Sequence, residues 1–596
     1  MERIDVILTW PLWEALCYES EVKIPEGSRV RVPVGKSNSK RVGFVLGESH
    51  QELADDIEIK QVNEIIDSQR ILDPDIWDMA LWAGRVCMCG AGEVLKLVLP
   101  KNFLSGEKLE APPDCNSESS QNFREEHCFN PFDSERVNFY LDALSRPGRS
   151  LMLLPTHERA KSFFANLPES LKSDAILWPS SVGNNGKKLW EAWKLALSKQ
   201  VRIIIAAPNG IFAPLSPERF IVEDEANPSY VIPYKLNLSA RSIAGYRAQI
   251  LGSEFITGGS LPSLKTFSRV NISQNVKPER NNIIIADMNH SRSHKEESRG
   301  IKHKMILTRS LIKRTYKALA DNQNVIWILN RLGDASEVFC GNCGESIRCP
   351  KCNNLMRSES EGRILRCRVC GHAADMPDKC DKCGFDLLSG KRPGLEALFE
   401  IAKKYYNDVH IYEAKSSIND MHGLILSTER GLELCRKVNT SLIAWLDLDS
   451  ELSWPEYNTR FRVFANLWES YWSGRERDSN SERKILIQAR KSGRIFAGSL
   501  SQGWEKFFPD ELRIREEYLL PPYGLMIEIS CRDKNLREDV INILDSKGLF
   551  VMDPGGDSEK LYVNTKSLDL VHSALESFYS VRSRNIKRPD ILIRSE

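Results

Sequence analysis

Four Cys-x-x-Cys pairs within residues 340–383 constrain the fold of this chain more than any other feature. Each pair places two thiolates on one tight turn, at the spacing of two adjacent corners of a zinc tetrahedron, and two such turns complete a closed Cys₄ site. A closed site has no open coordination position, so the segment predicts two structural Zn²⁺ ions. Neighbouring pairs could share a metal, or the pairs could nest, and the spacing leaves both arrangements open. The predicted ligands are Cys340, Cys343, Cys349, Cys352, Cys367, Cys370, Cys380 and Cys383.

Composition favours metal ligation over the alternative, a disulfide framework. No apolar run approaches the roughly 20 residues that cross a bilayer, and the N-terminal sequence lacks the layout of a signal peptide. We therefore predict a cytoplasmic protein with no membrane partner, in which cysteines stay reduced. The 82 basic and 81 acidic residues nearly cancel, so any nucleic-acid binding must come from local patches.

Hydrophobic periodicity predicts a multidomain α/β protein. Residues 1–50 alternate as β-strands do, whereas short apolar runs such as RSLMLLP and RFIVEDE alternate with helical stretches, as in parallel sheets. The tryptophans of LWEAWKLAL and LWESYWSG have helical spacing and are predicted to lie in cores rather than to stack on bases. The predicted units are a β-rich N-terminal domain (1–102), a linker (103–130), two parallel α/β lobes (131–275 and 276–510, with a cysteine-rich insert at 336–392) and a small α+β C-terminal domain (511–596).

Several motifs, taken in order, resemble the bacterial replication-restart helicase family PriA (primosomal protein N′). They include PEGSRVRVPVGK, VEDEANPSY, LNRLGDASEVFCGNCGESIRCPKC and DELRIREEYLLPPYG. The resemblance implies an N-terminal module that binds DNA 3′ ends and two helicase lobes with an ATP site between them. It also implies zinc ribbons that are inserted in the second lobe. In these ribbons the outer Cys-x-x-Cys pairs bind one ion and the inner pairs bind the other. One zinc would then take Cys340, Cys343, Cys380 and Cys383, and the other Cys349, Cys352, Cys367 and Cys370.

The same resemblance implies the partners and one DNA contact, Lys60, and the basic residues of the same hairpin module add further candidates. The expected partners are forked or branched DNA, single-stranded DNA, primosome proteins, the replicative helicase with its loader, and single-stranded-DNA-binding protein. The candidate DNA contacts of the N-terminal module are Lys60, Arg29, Arg31 and Lys36. Strand alternation puts the two arginines on one face, where phosphate contact and an ordinary charged sheet face are alternatives. The family's pocket aspartate falls on Cys17, which weakens the case for 3′-hydroxyl capture.

The motor motifs of the family are degenerate in this chain. A P-loop needs G-x-x-x-x-G-K-[ST] after a buried strand and at the start of a helix, and no Gly-Lys pair fits; the strand and loop themselves are not recognisable before residue 148. The family's Asp-Glu-Glu-His falls on Glu223, Asp224, Glu225 and Ala226, and its last motif arginine on Asp478. Phosphoryl transfer depends on positioning and electrostatics, so we predict that the three acids are structural and that ATP is not a cofactor.

The sequence therefore predicts a replication-restart primosome component that binds abandoned or stalled forks and helps reload the replicative helicase without ATP hydrolysis or helicase activity. Two alternatives stay open. One is an active ATP-dependent 3′–5′ DNA helicase with an atypical nucleotide site. The other is a zinc-ribbon protein that binds single-stranded nucleic acid.

Overall fold

The structure is a computed structural model of the chain, in which 596 residues are numbered Met1–Glu596. The residues that it describes are 1–51, 58–108, 122–180, 186–198, 200–232, 236–272, 276–289, 293–298, 301–330, 338–340, 345–352, 354–358, 364–367, 370–384, 388–389, 394–412, 421–454, 456–477, 482–490, 493–554, 558–580 and 587–595. Within these ranges no helix combines the length and the apolar character that a bilayer crossing requires.

The N-terminal module is a six-stranded sheet covered by helices. Its strands lie in the order β5-β2-β1-β4-β3-β6, and alternate residues of β3 point into the module's own core. The elements are β1 (Glu2–Leu8), β2 (Leu16–Ser20), β3 (Arg29–Val34), β4 (Ser39–Glu48), β5 (Lys60–Gln61), β6 (Glu64–Ile65), α1 (Pro74–Val86), α2 (Ala91–Val98) and α3 (Lys101–Leu104).

Lobe 1 is a parallel six-stranded sheet in the order β7-β12-β11-β8-β10-β9. The central strands are buried on both faces and therefore read as continuous apolar runs in the sequence. The elements are β7 (Arg124–Phe129), α4 (Asp133–Ser145), β8 (Ser150–Leu153), α5 (His157–Ala165), α6 (Glu169–Lys172), β9 (Ala175–Leu177), α7 (Gly186–Leu197), β10 (Ile203–Ala206), β11 (Arg219–Val222), α8 (Ala240–Leu251), β12 (Glu254–Gly259) and α9 (Leu264–Arg269).

Lobe 2 repeats this plan with a parallel sheet in the order β13-β25-β24-β16-β23-β22. Small antiparallel strands between β16 and α11 form the cysteine-rich insert, and a separate hairpin, β14–β15, precedes α10. The elements are β13 (Ile283–Asp287), β14 (Ser293–Ser298), β15 (Ile301–Ile306), α10 (Arg309–Ala320), β16 (Asn324–Ile328), β17 (Phe339–Cys340), β18 (Met356–Ser358), β19 (Ile364–Cys367), β20 (Ala373–Asp375), β21 (Leu388–Ser389), α11 (Leu395–Ala402), β22 (Val409–Ile411), β23 (Leu424–Ser427), β24 (Thr440–Trp445), α12 (Leu448–Leu452), α13 (Thr459–Trp472), β25 (Lys484–Ala489), α14 (Gly493–Gln502) and α15 (Trp504–Glu517).

The C-terminal domain is a four-stranded sheet in the order β27-β28-β26-β29 with two helices. Trp13 of the N-terminal module stacks on Tyr579 of this domain with ring centroids 4.3 Å apart, so the two ends of the chain meet. The elements are β26 (Leu525–Ser530), α16 (Lys534–Ser546), β27 (Val551–Met552), β28 (Lys560–Thr565), α17 (Leu568–Tyr579) and β29 (Asp590–Arg594).

Two predicted boundaries are wrong. The linker predicted over 103–130 lies partly outside the described residues, but its end forms β7, which pairs with β12 along the edge of the lobe 1 sheet. Its polar sequence, with glutamates at 125 and 126, suits an edge strand. The boundary at 511 falls inside α15, whose Phe508 and Leu512 pack in the lobe 2 core.

Shared cores join the units. Phe44 and Trp77 of the N-terminal module lie in the same apolar cluster as Leu151 of lobe 1. A fully buried ion pair between Asp75 of α1 and Arg247 of α8, 2.6 Å long, strengthens that contact. Phe132 and Leu261 of lobe 1 lie in the core of lobe 2, so the two lobes are also packed against each other.

Candidate functional sites

The N-terminal module carries a cleft of about 1770 Å³ between the β3–β4 turn, β2 and β5. Its lysines come from the β3–β4 turn, the start of β4 and β5, whereas its carboxylates come from β1, β2 and neighbouring loops. The lysines are Lys36, Lys40 and Lys60, and the carboxylates are Asp5, Glu14, Glu19 and Glu58. The arrangement offers cations for phosphates and carboxylates for hydroxyl groups within one cleft.

Lys60 lines this cleft but also has a structural contact. Its ammonium donates to the backbone carbonyl of Gly35 at 2.7 Å and to the side-chain oxygen of Asn38 at 2.5 Å, and it thereby braces the β3–β4 turn. Cys17 lines the same cleft, and its partner across the sheet is Asp5. A carboxylate therefore lies next to the position where the resemblance places an aspartate.

Arg29 is buried, and its prediction as a DNA contact is wrong. The side chain is fully inaccessible, and its guanidinium pairs with Asp67 at 2.7 Å. It also donates to the carbonyls of Phe103 at 2.6 Å and Glu107 at 2.8 Å, and lies 4.3 Å above the Phe103 ring. These contacts hold the sheet to the segment after α3, and burial keeps the guanidinium away from a phosphate.

The other two candidates lie at the surface. Arg31 pairs with Glu64 at 2.9 Å and keeps 30% of its side chain exposed. Lys36 is exposed on the rim of the cleft. Strand alternation does put Arg29 and Arg31 on one face, but that face is covered at Arg29 and open only at Arg31.

Four cysteines of the insert converge in a first thiol cluster, made of Cys349, Cys352, Cys367 and Cys370. Sulfur–sulfur distances of 3.4 Å are far too long for a disulfide, at about 2.05 Å, and near the roughly 3.8 Å edge of a tetrahedron with 2.3 Å Zn–S bonds. Burial opposes ionisation of Cys352, but hydrogen bonds from the backbone and side-chain amides of Asn354 outweigh it and lower the pKa to about 7. The donor set could hold a thiophilic metal ion.

A second thiol cluster contains Cys340, Cys380 and Cys383. Cys340 and Cys383 approach to 3.5 Å. The fourth predicted ligand, Cys343, lies outside the described residues. The two clusters group the cysteines in the nested order that the family resemblance implies, with outer pairs together and inner pairs together.

The connection from β7 to α4 joins a strand of the parallel sheet to the helix that follows it, which is the kind of strand–loop–helix unit in which a P-loop occurs. This strand was not predicted from the sequence, because β7 is polar. The connection consists of residues 130–132, far shorter than the eight-residue P-loop motif, and contains no glycine. Asp133 and Glu135 occupy the first turn of α4, so the positive end of the helix faces the protein's own carboxylates.

The acids after β11 are buried and paired with arginines. Glu223 accepts from Arg136 at 3.0 Å and from Arg159 at 3.1 Å, and Asp224 pairs with Arg159 at 2.8 Å. Burial opposes ionisation of Asp224, but Arg159 and further arginines outweigh it and lower its pKa. The carboxylates that would hold Mg²⁺ in a motor are thus internal ion-pair partners, as the structural interpretation of this stretch predicts.

Arg436 extends the pairing across the lobe interface. This lobe 2 side chain contacts Asp133 of lobe 1 at 2.9 Å and Glu469 of its own lobe at 3.3 Å. Burial opposes ionisation of Asp133, but Arg436 and Arg136 outweigh it and hold the pKa well below its usual range. The carboxylate therefore stays charged at neutral pH and keeps the lobes attached.

Further contacts surround this pair. Arg477 of lobe 2 pairs with Glu135 of α4 at 2.5 Å, and the indole nitrogen of Trp468 donates to the Ser260 carbonyl at 3.0 Å. We call Arg436, Arg477 and their lobe 1 partners the interlobe clamp. The interlobe clamp was not predicted from the sequence, although Arg436 and Arg477 lie in stretches that correspond to degenerate family motifs; the acids that open α4 were a further signal. Asp478 lies outside the described residues.

Comparisons with known proteins agree with this architecture. A model of the family described as PriA 3′DNA-binding domain (3′BD) matches residues 5–100. Replication restart protein PriA of Borreliella burgdorferi is 22% identical over 526 residues, which cover 80% of this chain and 78% of that protein. Replication restart protein PriA of Synechocystis sp. is 26% identical over 389 residues, which cover 60% of this chain and 46% of that protein. The predicted resemblance to the PriA family is confirmed.

Solved helicase structures resemble the chain only loosely. The E. coli DExH-box NTPase HrpB covers 64% of this chain and 40% of its own length, at 11% identity and a TM-score of 0.33. At that score the likeness adds nothing to the assignment of the lobes, which follows from the two parallel sheets themselves and supports the predicted multidomain α/β fold class.

Proposed function

We propose that this chain, a divergent member of the PriA family, binds forked DNA during replication restart as a scaffold whose two helicase-like lobes do not hydrolyse ATP. The observation that carries the proposal is the interlobe clamp with its buried continuation into Glu223 and Asp224. A triphosphate needs backbone donors and unpaired cations. At this position the chain offers carboxylates on the helix start and arginines that already have partners.

The cleft of the N-terminal module is the proposed site for a DNA end. Lys36 and Lys60 would contact phosphates, and Arg31 would add a contact from the neighbouring sheet face. Arg29 is excluded from this role because it is buried. The support comes from the cations on the cleft and from the family match over the same residues.

Zn²⁺ is the proposed occupant of both thiol clusters. The four sulfurs of the first cluster and the three described sulfurs of the second are spaced close to tetrahedral edges, which suits closed structural zinc sites. Cys343 would complete the second set. When bound, the ions would supply folding energy to an insert that has few apolar residues of its own.

We further propose that the assembled surface recruits primosome proteins, the replicative helicase with its loader, and single-stranded-DNA-binding protein. A protein that does not move along DNA can contribute to restart only by marking the fork and positioning other proteins. The support is the family resemblance together with the clamp, which keeps the lobes in one arrangement.

One experiment tests the central claim. Purified full-length protein is titrated with forked DNA in an anisotropy assay, and ATP turnover is measured with and without the same DNA. We expect fork binding without turnover above background. DNA-stimulated turnover that disappears in Glu223→Gln would show an active helicase instead. Equal affinity for forked DNA, linear single strands and RNA would show a general single-strand binder.

A further inference from the structure

The outward face of α10 in lobe 2 is strongly basic. Arg309, Lys313, Arg314 and Lys317 are exposed, and the helix contains no acid. Tyr316 lies in the same stripe with 67% of its surface exposed. Positions 309, 313, 316 and 317 follow the i, i+4, i+7, i+8 spacing of one helix face.

This charge has no compensation within the described structure. Among the described residues, none of the four cations pairs with a carboxylate, and Arg314 only donates to Ser310 of the same helix at 3.4 Å. Like charges four residues apart repel and destabilise a helix. The chain as a whole is nearly neutral, so four exposed cations without an acid on one helix are a local excess of positive charge. Such an excess suits contact with an external anion.

Packing directs this face away from lobe 1. Leu311 and Thr315 on the opposite side of α10 are buried, and Leu311 packs with Trp327 of the sheet. The lobe 1 residues Phe132 and Leu261 pack on the other face of that sheet. Tyr406 donates to the Ile312 carbonyl at 3.2 Å and fixes the helix against the segment after α11. The basic face is therefore a rigid outer surface of lobe 2.

We propose that the α10 face binds the sugar–phosphate backbone of one DNA arm of the fork, an inference that rests on the proposed DNA-binding function. From Arg309 to Lys317 the helix advances about 12 Å at 1.5 Å per residue. That distance spans three to four phosphates of one strand at about 3.4 Å of axial rise each. The exposed Tyr316 ring lies between the cations, where it contacts sugar or base. Contact at this face places a second fork arm on the outside of lobe 2, away from the N-terminal cleft.

The test compares a triple variant with a matched control. Arg309→Gln, Lys313→Gln and Lys317→Gln remove three charges from α10; Lys187→Gln, Lys188→Gln and Lys194→Gln remove three from exposed positions of α7. We expect the α10 variant to lose about tenfold or more in fork affinity at low salt. Its slope of log affinity against log salt should fall by about 2 to 3, because each phosphate contact contributes about 0.9. The α7 variant should match wild type.

A photo-crosslinking residue in place of Tyr316 gives an independent readout. We expect crosslinks to DNA on one fork arm, and none from the same residue in place of Leu195, which is 40% exposed on α7. If wild type binds forks but the α10 variant keeps its affinity and salt slope, or position 316 crosslinks only to protein, the inference is wrong. If wild type itself does not bind forks, the proposed function fails instead.

Discussion

Arginine side chains serve different purposes in this molecule, and burial separates them. Arg29 and Arg247 are inaccessible and hold segments together through carboxylates and carbonyls. Arg309 and Arg314 are exposed and without a carboxylate partner among the described residues. A buried guanidinium must satisfy its donors internally, because leaving them unpaired costs several kcal/mol. An exposed one stays available to an anion.

Arg29→Ala should destabilise the N-terminal module by about 3–5 kcal/mol, the usual cost of removing one partner from a buried ion pair. Asp67 and two carbonyls would lose their donors. Denaturant unfolding of the full chain, followed by the fluorescence of the tryptophans, measures the change. Lys36→Ala, at an exposed position, should stay within about 0.5 kcal/mol of wild type. A stable Arg29→Ala protein with weakened DNA binding would restore this arginine as a direct contact.

At the scale of elements, the short strands of the insert bring thiols together but bury little apolar surface. The described insert has one small apolar cluster, around Val338, Met356 and Leu365, and half of its six buried members are cysteines. The long elements differ: α7 and α13 bury Trp193 and Trp468, which confirms the predicted core role of these tryptophans. Metal binding is therefore expected to decide the insert's folding and to leave the lobes nearly unaffected.

Metal analysis of cysteine variants tests this division. Wild type should contain two Zn²⁺ per chain, Cys349→Ser one, and Cys340→Ser one, because each change breaks a different thiol cluster. Cys17→Ser, outside both clusters, should keep two. Chelation should make only the region around 338–384 sensitive to protease. Loss of both ions from either single variant would contradict two independent nested sites.

Predictability from the sequence differs among these elements. Local spacing identified the cysteines that converge in the two thiol clusters, and apolar runs identified the central strands, because both signals lie within a few residues. The strand β7 was not predicted, because an edge strand needs few apolar residues and its partner β12 is 130 residues away. The end of α15 was predicted too early, because its helical periodicity continues past the predicted domain boundary at residue 511.

At the scale of the whole molecule, the lobes form one packed body. A core that includes Phe132 of lobe 1 with Trp472 of lobe 2, together with the interlobe clamp, joins them over a broad surface. A working motor opens and closes its cleft as nucleotide binds and leaves. An interface packed over this surface opposes that motion, which agrees with the proposed scaffold role.

Hydrogen exchange measures this rigidity. Exchange at the start of α4 and in the 3₁₀ helix Glu429–Arg436, which follows β23 and contains Arg436, should not change when Mg²⁺ and ATP are added to wild type. The double variant Arg436→Ala, Arg477→Ala should exchange roughly tenfold faster or more at both places, since each 1.4 kcal/mol corresponds to a factor of ten. Arg124→Ala, which removes a surface pair with Glu254, serves as the control. Protection induced by ATP in wild type would argue for a functional nucleotide site.

The sequence by itself determined the class of each unit, the eight candidate metal ligands and the loss of the P-loop, because these are properties of short stretches with fixed spacing. Only the tertiary structure decided that Arg29 is buried, that Glu223 and Asp224 are paired with arginines, and that Arg436 joins the lobes. Those outcomes depend on side chains that are up to some 300 residues apart in the chain. Charge and burial at such sites result from packing, which no local pattern contains.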